Sequence, residues 1–364
     1  MNNITTKWIN YFKGIAMLGV IMVHFGVRGI DNKNFSMLIY HTAKGVYIFI
    51  LISAYLAYYS LSKRNVNHWK DYIQWMGRKI SKIIPLYYLA LLIHLFTEGL
   101  GSRWWLGSVP QVSIGNILAH VFFVHGFNPY YCNSIIGVEW YIGVLFMLYL
   151  IAPILYKFVN NFSRALVLYL ISSVVCSYYL KIANMHIIKD DYIWAYFIEN
   201  FTIISLFPLI SLGIVFYYGI QSKLWEKWIG NKSVSYFLIF FSGFILYRLM
   251  RGSNFYGFAS TGIWALVIVM LAMSQMCVAN KLICNPFFEI LGKYSYGIYL
   301  FHFIILNYMP QIPIQNIYIS WIVNYIWIVG ISLAAAVLLN KFVEQPVLKR
   351  LDKIRDAGMR EKQC

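Results

Sequence analysis

Apolar residues along this chain come in long, nearly unbroken runs, separated by shorter polar stretches. The runs are close to the ~20 residues that an α-helix needs to cross ~30 Å of hydrocarbon. In order they predict about ten spans, over residues 8–27, 40–61, 75–97, 134–156, 164–182, 198–219, 233–250, 258–278, 288–308 and 318–341. A transmembrane barrel would instead alternate within segments of ~10 residues. The pattern therefore predicts an all-α fold, a polytopic integral membrane helical bundle. Residues 1–341 form the membrane domain, and a basic tail follows over 342–364.

Two stretches depart from simple helical hairpins. Residues 98–133 are too long for a tight turn, and they contain an apolar piece, 114–124, too short to span. An interfacial or re-entrant helix is expected there. The tail carries Lys349, Arg350, Lys353, Arg355, Arg360 and Lys362, which suits an amphipathic helix or a solvated segment on the membrane surface. The first span ends in His24-Phe25-Gly26-Val27-Arg28, without a small-residue cleavage site, so it is read as a retained helix. No internal repeat is visible.

Composition agrees with a membrane protein. The chain is 60% hydrophobic and only 12% charged, which excludes an ordinary soluble domain. Thirty Lys and Arg face thirteen Asp and Glu, for a formal net charge of +17. Most of these cations fall on the segments that share a side with the N-terminus. An even number of spans puts both termini on that side, and the positive-inside rule makes it cytoplasmic. The charge then answers to an anionic leaflet or an anionic cytosolic ligand. A nucleic acid is not expected, because no basic soluble domain is available to bind it. Five scattered cysteines, with no CxxC pair, give neither a disulfide framework nor a metal site. No metal is expected.

Ionisable groups inside the spans carry the candidate chemistry, because they are costly in hydrocarbon. Lys13 and His24 are eleven residues apart in the first span. At ~100° per residue they share one face, about 16 Å apart along the axis. Arg78, Lys79 and Lys82 cluster at the cytoplasmic mouth of the third span. They read either as a positive-inside anchor or as a clamp for phosphate oxygens. Glu139 is the acid that falls clearly inside a span, and His24 and His302 are expected at a similar depth. This layer reads either as a proton-transfer site or as hydrogen bonding that locks helices together.

Several patches, in order along nearly the whole chain, resemble the membrane acyltransferase-3 family. Lys13-Gly14-Ile15-Ala16 through His24 resembles its first-helix motif of a basic residue and a histidine. The second helix, ending Ser53-Ala54-Tyr55-Leu56, resembles Ser-Gly-aromatic-Leu. Lys79 and Lys82 before Pro85 stand where the family has two arginines. Trp140-Tyr141-Ile142 through Tyr149 and Pro153, Gly292 through Ser295-Tyr296, Tyr299-Leu300 and His302, and Glu344-Gln345-Pro346 complete the match. Lysine at 13, 79 and 82 keeps the charge but lacks the bidentate fork of arginine. Ala54 stands in place of the usual glycine.

The resemblance implies a stand-alone O-acetyltransferase, a multi-pass protein of the bacterial plasma (inner) membrane. The donor would be cytosolic acetyl-CoA, its phosphates met by Lys13, Arg78, Lys79 and Lys82. The acceptor would be a hydroxyl of a cell-surface or lipid-linked glycan, and membrane lipids would surround the protein. His24 is expected to act as general base with Glu139 beside it. Ser53, Ser295, Tyr296 and Tyr299 are expected to orient groups or stabilise an oxyanion. Trp140 is a candidate platform for sugar, and His302 a candidate for orienting or gating. The rival class is a transporter or flippase of an anionic glycolipid or glycan precursor. It would put the same basic track along a pathway, but it is expected to show paired repeats or broken helices in matched halves.

Overall fold

The structure is a computed structural model that describes residues 7–64, 66, 68–186, 191–222, 227, 231–250 and 285–360. All regular structure in these residues is helical. The helices are α1 (Lys7–Phe25), α2 (Lys33–His41), α3 (Gly45–Ser62), α4 (Trp69–Glu98), α5 (Ile114–Val121), α6 (Trp140–Phe158), α7 (Phe162–His186), α8 (Tyr192–Asn200) and α9 (Ile203–Gly219). After them come α10 (Lys232–Met250), α11 (Pro286–Lys293), α12 (Ser295–Tyr308), α13 (Ile317–Leu339) and α14 (Gln345–Arg360).

Among the described residues, seven segments are helical, long and apolar enough to cross a membrane. They coincide with seven of the ten predicted spans. The other three differ. The predicted span 258–278 lies outside the described residues. The span 233–250 is helical as α10, but its strongly apolar part is the shorter Lys232–Ile245. The span 288–308 is two helices, α11 and α12, divided at Tyr294. The predicted short helix within 98–133 is present as the eight-residue α5. The tail is helical as α14, joined to α13 through a π-helical turn at Asn340–Glu344.

Close packing rests on small residues at helix crossings. α1 lies against α11 and α3, α3 against α6 and α9, and α9 against α7. A methyl group added at Gly292 would sit 1.7 Å from the Asn10 carbonyl oxygen, and one at Gly14 would sit 2.3 Å from that of Phe288. The glycines of two motif patches therefore bring α1 and α11 into backbone contact, a common device where helices pack inside a bilayer. Ala54, on α3, is fully buried opposite Gly213 of α9. Gly213 leaves the room that Ala54 occupies. From α13, Trp321 donates to the Gly26 carbonyl at 2.8 Å and Tyr325 to that of Leu18 at 2.8 Å, pinning the far end of α1.

The start of α6 departs most from expectation. Residues 134–139 were expected inside a helix, yet the helix begins at Trp140 and Glu139 is its N-cap residue. The preceding residues turn back over the Glu139 carboxylate. Gly137 makes this possible with φ +95°, in the left-handed region that glycine enters without strain.

Candidate active site

Two cavities lie on the same side of α1. The first, about 370 Å³, is lined by Lys13, Lys79, Lys82, Ser53, Tyr141 and Glu344, among others. Lys79 is held by its neighbours. Its ammonium sits 5.4 Å over the Trp75 ring and 5.7 Å over that of Tyr149, and it donates to the Leu56 carbonyl at 3.4 Å. Lys82 is exposed, so the cavity has a cationic edge open to the protein surface. Three ammonium groups around one cavity are a donor set suited to phosphate oxygens. Arg78 stands beside them on α4 but does not line the space.

The second cavity, about 340 Å³, is lined by His24, Lys44, Asn133, Trp140 and many aromatic rings. His24 and His302 are paired here, 278 residues apart in sequence, with His24 Nδ1 3.0 Å from His302 Nε2. Their partners determine the proton positions. His302 Nδ1 faces two carbonyl oxygens, Tyr299 at 2.7 Å and Ile298 at 3.2 Å, and a carbonyl accepts only. His302 Nδ1 therefore carries the proton and donates. With both rings neutral, its Nε2 is an acceptor, and His24 Nδ1–H donates to it. The remaining nitrogen of His24, Nε2, keeps its lone pair. Phe303 packs on both rings, at 4.7 and 4.8 Å between centroids.

Tyr299 is the residue that lines both cavities. Its hydroxyl donates to the Val138 carbonyl, and its ring meets that of Tyr141 edge-on at 5.6 Å. The other hydroxyls near this wall are committed to different degrees. Ser295 donates to the Gly292 carbonyl at 2.8 Å, and Tyr296 to that of Ile83 at 2.8 Å. Ser53 and Tyr141 share a hydrogen bond of 2.8 Å, and Tyr141 also reaches the Phe49 carbonyl at 3.3 Å. Tyr141 has one proton: given to Ser53 it leaves the Ser53 proton for a ligand, and given to the Phe49 carbonyl it makes Ser53 the donor to Tyr141.

Glu139 lies fully buried in a separate knot. Its carboxylate accepts from the backbone N–H of Ile135 at 2.7 Å, Ile136 at 3.1 Å and Gly137 at 2.6 Å. His120 Nε2 stands 3.2 Å from the same carboxylate, and His120 Nδ1 stands 2.8 Å from the Asn116 carbonyl. Both ring nitrogens face oxygen acceptors, which ties the His120 imidazole to the carboxylate on one side and to the α5 backbone on the other. His125 stacks on His120 at 4.4 Å and lies 3.0 Å from the Glu139 backbone carbonyl. The knot shapes the loop that supplies Val138 to Tyr299 and Gly137 to the second cavity wall.

The structure thus brings together two groups of the residues singled out in the sequence. Lys13, Lys79, Lys82, Ser53, Ser295 and Tyr296 line one cavity; His24 and Trp140 line the other, with His302 behind them and Tyr299 between. Glu139 joins neither group. Sequence reasoning assigned no role to Lys44, Tyr141, His120, His125 or Glu344. Glu344 accepts from Asn340 Nδ2 at 2.6 Å and lines the lysine cavity. Its Glu-x-Pro pattern was the available signal. For Lys44 and the two histidines there was none beyond their rarity among apolar residues. Among the described residues no group of His, Cys, Asp and Glu is placed to hold a metal ion.

Long apolar helices around two adjoining, chemically distinct cavities define an integral membrane protein with room for two ligands. The acyltransferase-3 family model, described as an acyltransferase domain, matches residues 6–341, and the chain belongs to that family. The family assigns the protein to membrane acyl transfer and implies an acyl donor and an acceptor. The chain is also similar to the regulator of hypoxia-inducible factor 1 of Caenorhabditis elegans. Identity is 22% over 409 residues, covering 93% of this chain and 79% of that protein. No solved structure matches it significantly.

Proposed function

We propose that this protein is an O-acetyltransferase of the bacterial plasma membrane, moving an acetyl group from cytosolic acetyl-CoA to a hydroxyl of a cell-surface or lipid-linked glycan. The observation that carries this reading is the pair of cavities divided by Tyr299, one cationic and one offering an unprotonated imidazole nitrogen. The lysine cavity takes the donor from the cytoplasmic face, with Lys13, Lys79 and Lys82 against its phosphates. The His24 cavity takes the acceptor.

In the reaction, His24 Nε2 accepts the proton of the acceptor hydroxyl as its oxygen attacks the thioester carbonyl. The charge on the carbonyl oxygen is met by a hydroxyl donor, for which Ser53 is best placed. The carbon–sulfur bond then breaks, and the His24 imidazolium returns its proton to the departing thiolate. His302 Nε2 accepts from His24 Nδ1–H throughout, which holds the ring in place. Glu139, saturated by its own loop, is a positioning residue in this scheme.

Purified protein in nanodiscs with radiolabelled acetyl-CoA and no acceptor tests the reading. Wild type should bind the donor and hydrolyse it slowly. Lys79→Ala/Lys82→Ala should weaken binding by about tenfold or more. Absence of binding by well-folded wild type would overturn the proposal and leave a transport function in front.

A further inference from the structure

Lys44 sits in the three-residue 3₁₀ turn that joins α2 to α3, and it lines the His24 cavity. It is a half-buried cation. Its ammonium donates to the Tyr47 hydroxyl at 3.0 Å and lies 4.8 Å over that ring. No carboxylate among the described residues lies within ion-pair distance of it, and no Asp or Glu lines the cavity. An ammonium has three N–H groups, and Tyr47 takes one. Withdrawing a cation from water without an opposite charge is unfavourable, and a bound anion would reverse that.

The remaining wall is of a different kind. Trp104, Trp105, Trp140, Tyr192 and Tyr196 line it with aromatic rings, while Asn133 and Asn200 add polar groups. Trp140 is fixed by stacking on Phe201 at 4.5 Å. Rings of this type offer apolar faces to the C–H faces of sugars and polar tips to their hydroxyls. At about 340 Å³ the cavity is near the small end of ligand pockets, so it holds a short part of a longer acceptor.

We propose that the His24 cavity selects saccharide acceptors bearing a negative group, a carboxylate or phosphodiester on or next to the acylated residue, and that Lys44 is its contact. This deepens the acyltransferase reading and rests on it. Lys44 acts on acceptor binding, not on the proton transfer.

The test is calorimetric binding to the protein in nanodiscs. The probes are an oligogalacturonate, its uncharged methyl ester, and a glycerol-phosphate oligomer, with acetyl-CoA titrated in parallel. Wild type should bind the oligogalacturonate at least about tenfold tighter than the ester. The difference should shrink as salt rises, disappear in Lys44→Gln and persist in Lys44→Arg. The phosphate oligomer, ranked against the oligogalacturonate, identifies which anion the site favours. Equal binding of charged and uncharged probes by wild type, or no binding of either, overturns the inference. So does a preference that survives in Lys44→Gln. If Lys44→Gln does not fold, the salt dependence of wild type and the behaviour of Lys44→Arg decide. Acetyl-CoA binding without charge preference would sink this inference alone. Charge preference without acetyl-CoA binding would sink the transferase reading instead.

Discussion

The His24–His302 pair and the Glu139 knot are both buried and built from imidazoles, yet they differ in what each leaves unused. In the knot, four donors surround one carboxylate and every nitrogen of His120 is engaged. In the pair, the hydrogen bonds run in one direction, from His24 to His302 to the Tyr299 carbonyl, and end with a lone pair beside a cavity. Burial of an ionisable group therefore does not mark chemistry by itself. A saturated group stabilises the fold, whereas a group with one valence left over, facing a space, is able to react.

Substitutions should separate the two clusters. The largest effect is expected from His24→Ala, which should lower acyl transfer by about 10³-fold while acetyl-CoA still binds. Loss within tenfold, measured with labelled donor, would remove His24 from the role of base. Glu139→Gln should act on stability, by about 2 kcal/mol, because the amide NH2 would face a buried backbone N–H donor where a carboxylate oxygen now accepts. A variant that kept its thermal unfolding temperature but lost transfer would move Glu139 from scaffold to chemistry. Gly292→Ala should cost about 2 kcal/mol, since the added methyl meets the α1 backbone. Unchanged thermal unfolding would mean that α1 and α11 separate easily. Tyr299→Phe should cost about 1 kcal/mol for the lost bond to Val138, and an unaltered unfolding midpoint would show that this wall is not held by the hydroxyl.

The smallest effect concerns the edge of the His24 cavity. Asp191 caps α8, accepting from Ile193 N–H at 2.8 Å and from the Tyr130 hydroxyl. The Tyr130 bond holds its carboxyl below the usual carboxylate value. A depressed carboxylate contributes stability above its unfolded pKa, and that contribution is lost as pH falls through the folded one. Protection of the α8 amides against hydrogen exchange, taken relative to the intrinsic rate at each pH, should therefore fall on acidification below the normal Asp range, and less so in Asp191→Asn. Equal acid sensitivity in both would release α8 from this control.

Much of the candidate site's arrangement was legible in the sequence, for identifiable reasons. The eleven-residue spacing of Lys13 and His24 is a property of helix geometry, so both fall on one side of α1. Rarity marked the cations on α4 and the histidine of α12. The segment before Trp140 was not legible. Its residues are apolar enough to continue a helix, but the Glu139 side chain offers their N–H groups a competing acceptor, and Gly137 permits the turn. Likewise Tyr294 divides a stretch that reads as continuous, because α11 follows the Gly292 contact with α1 and α12 follows α13.

Local order of the chain was thus determined by sequence. Long apolar runs have no solvent for their backbone groups in a bilayer, and helices are the way to satisfy them within one segment. Which ionisable residues would meet was decided only by tertiary packing. Partners such as His24 and His302, or His120 and Glu139, lie on different segments, and depth in the membrane restricts them to a layer without naming the neighbour. Close helix crossings at glycines make that choice, and with it they determine which buried group is saturated and which keeps a free nitrogen.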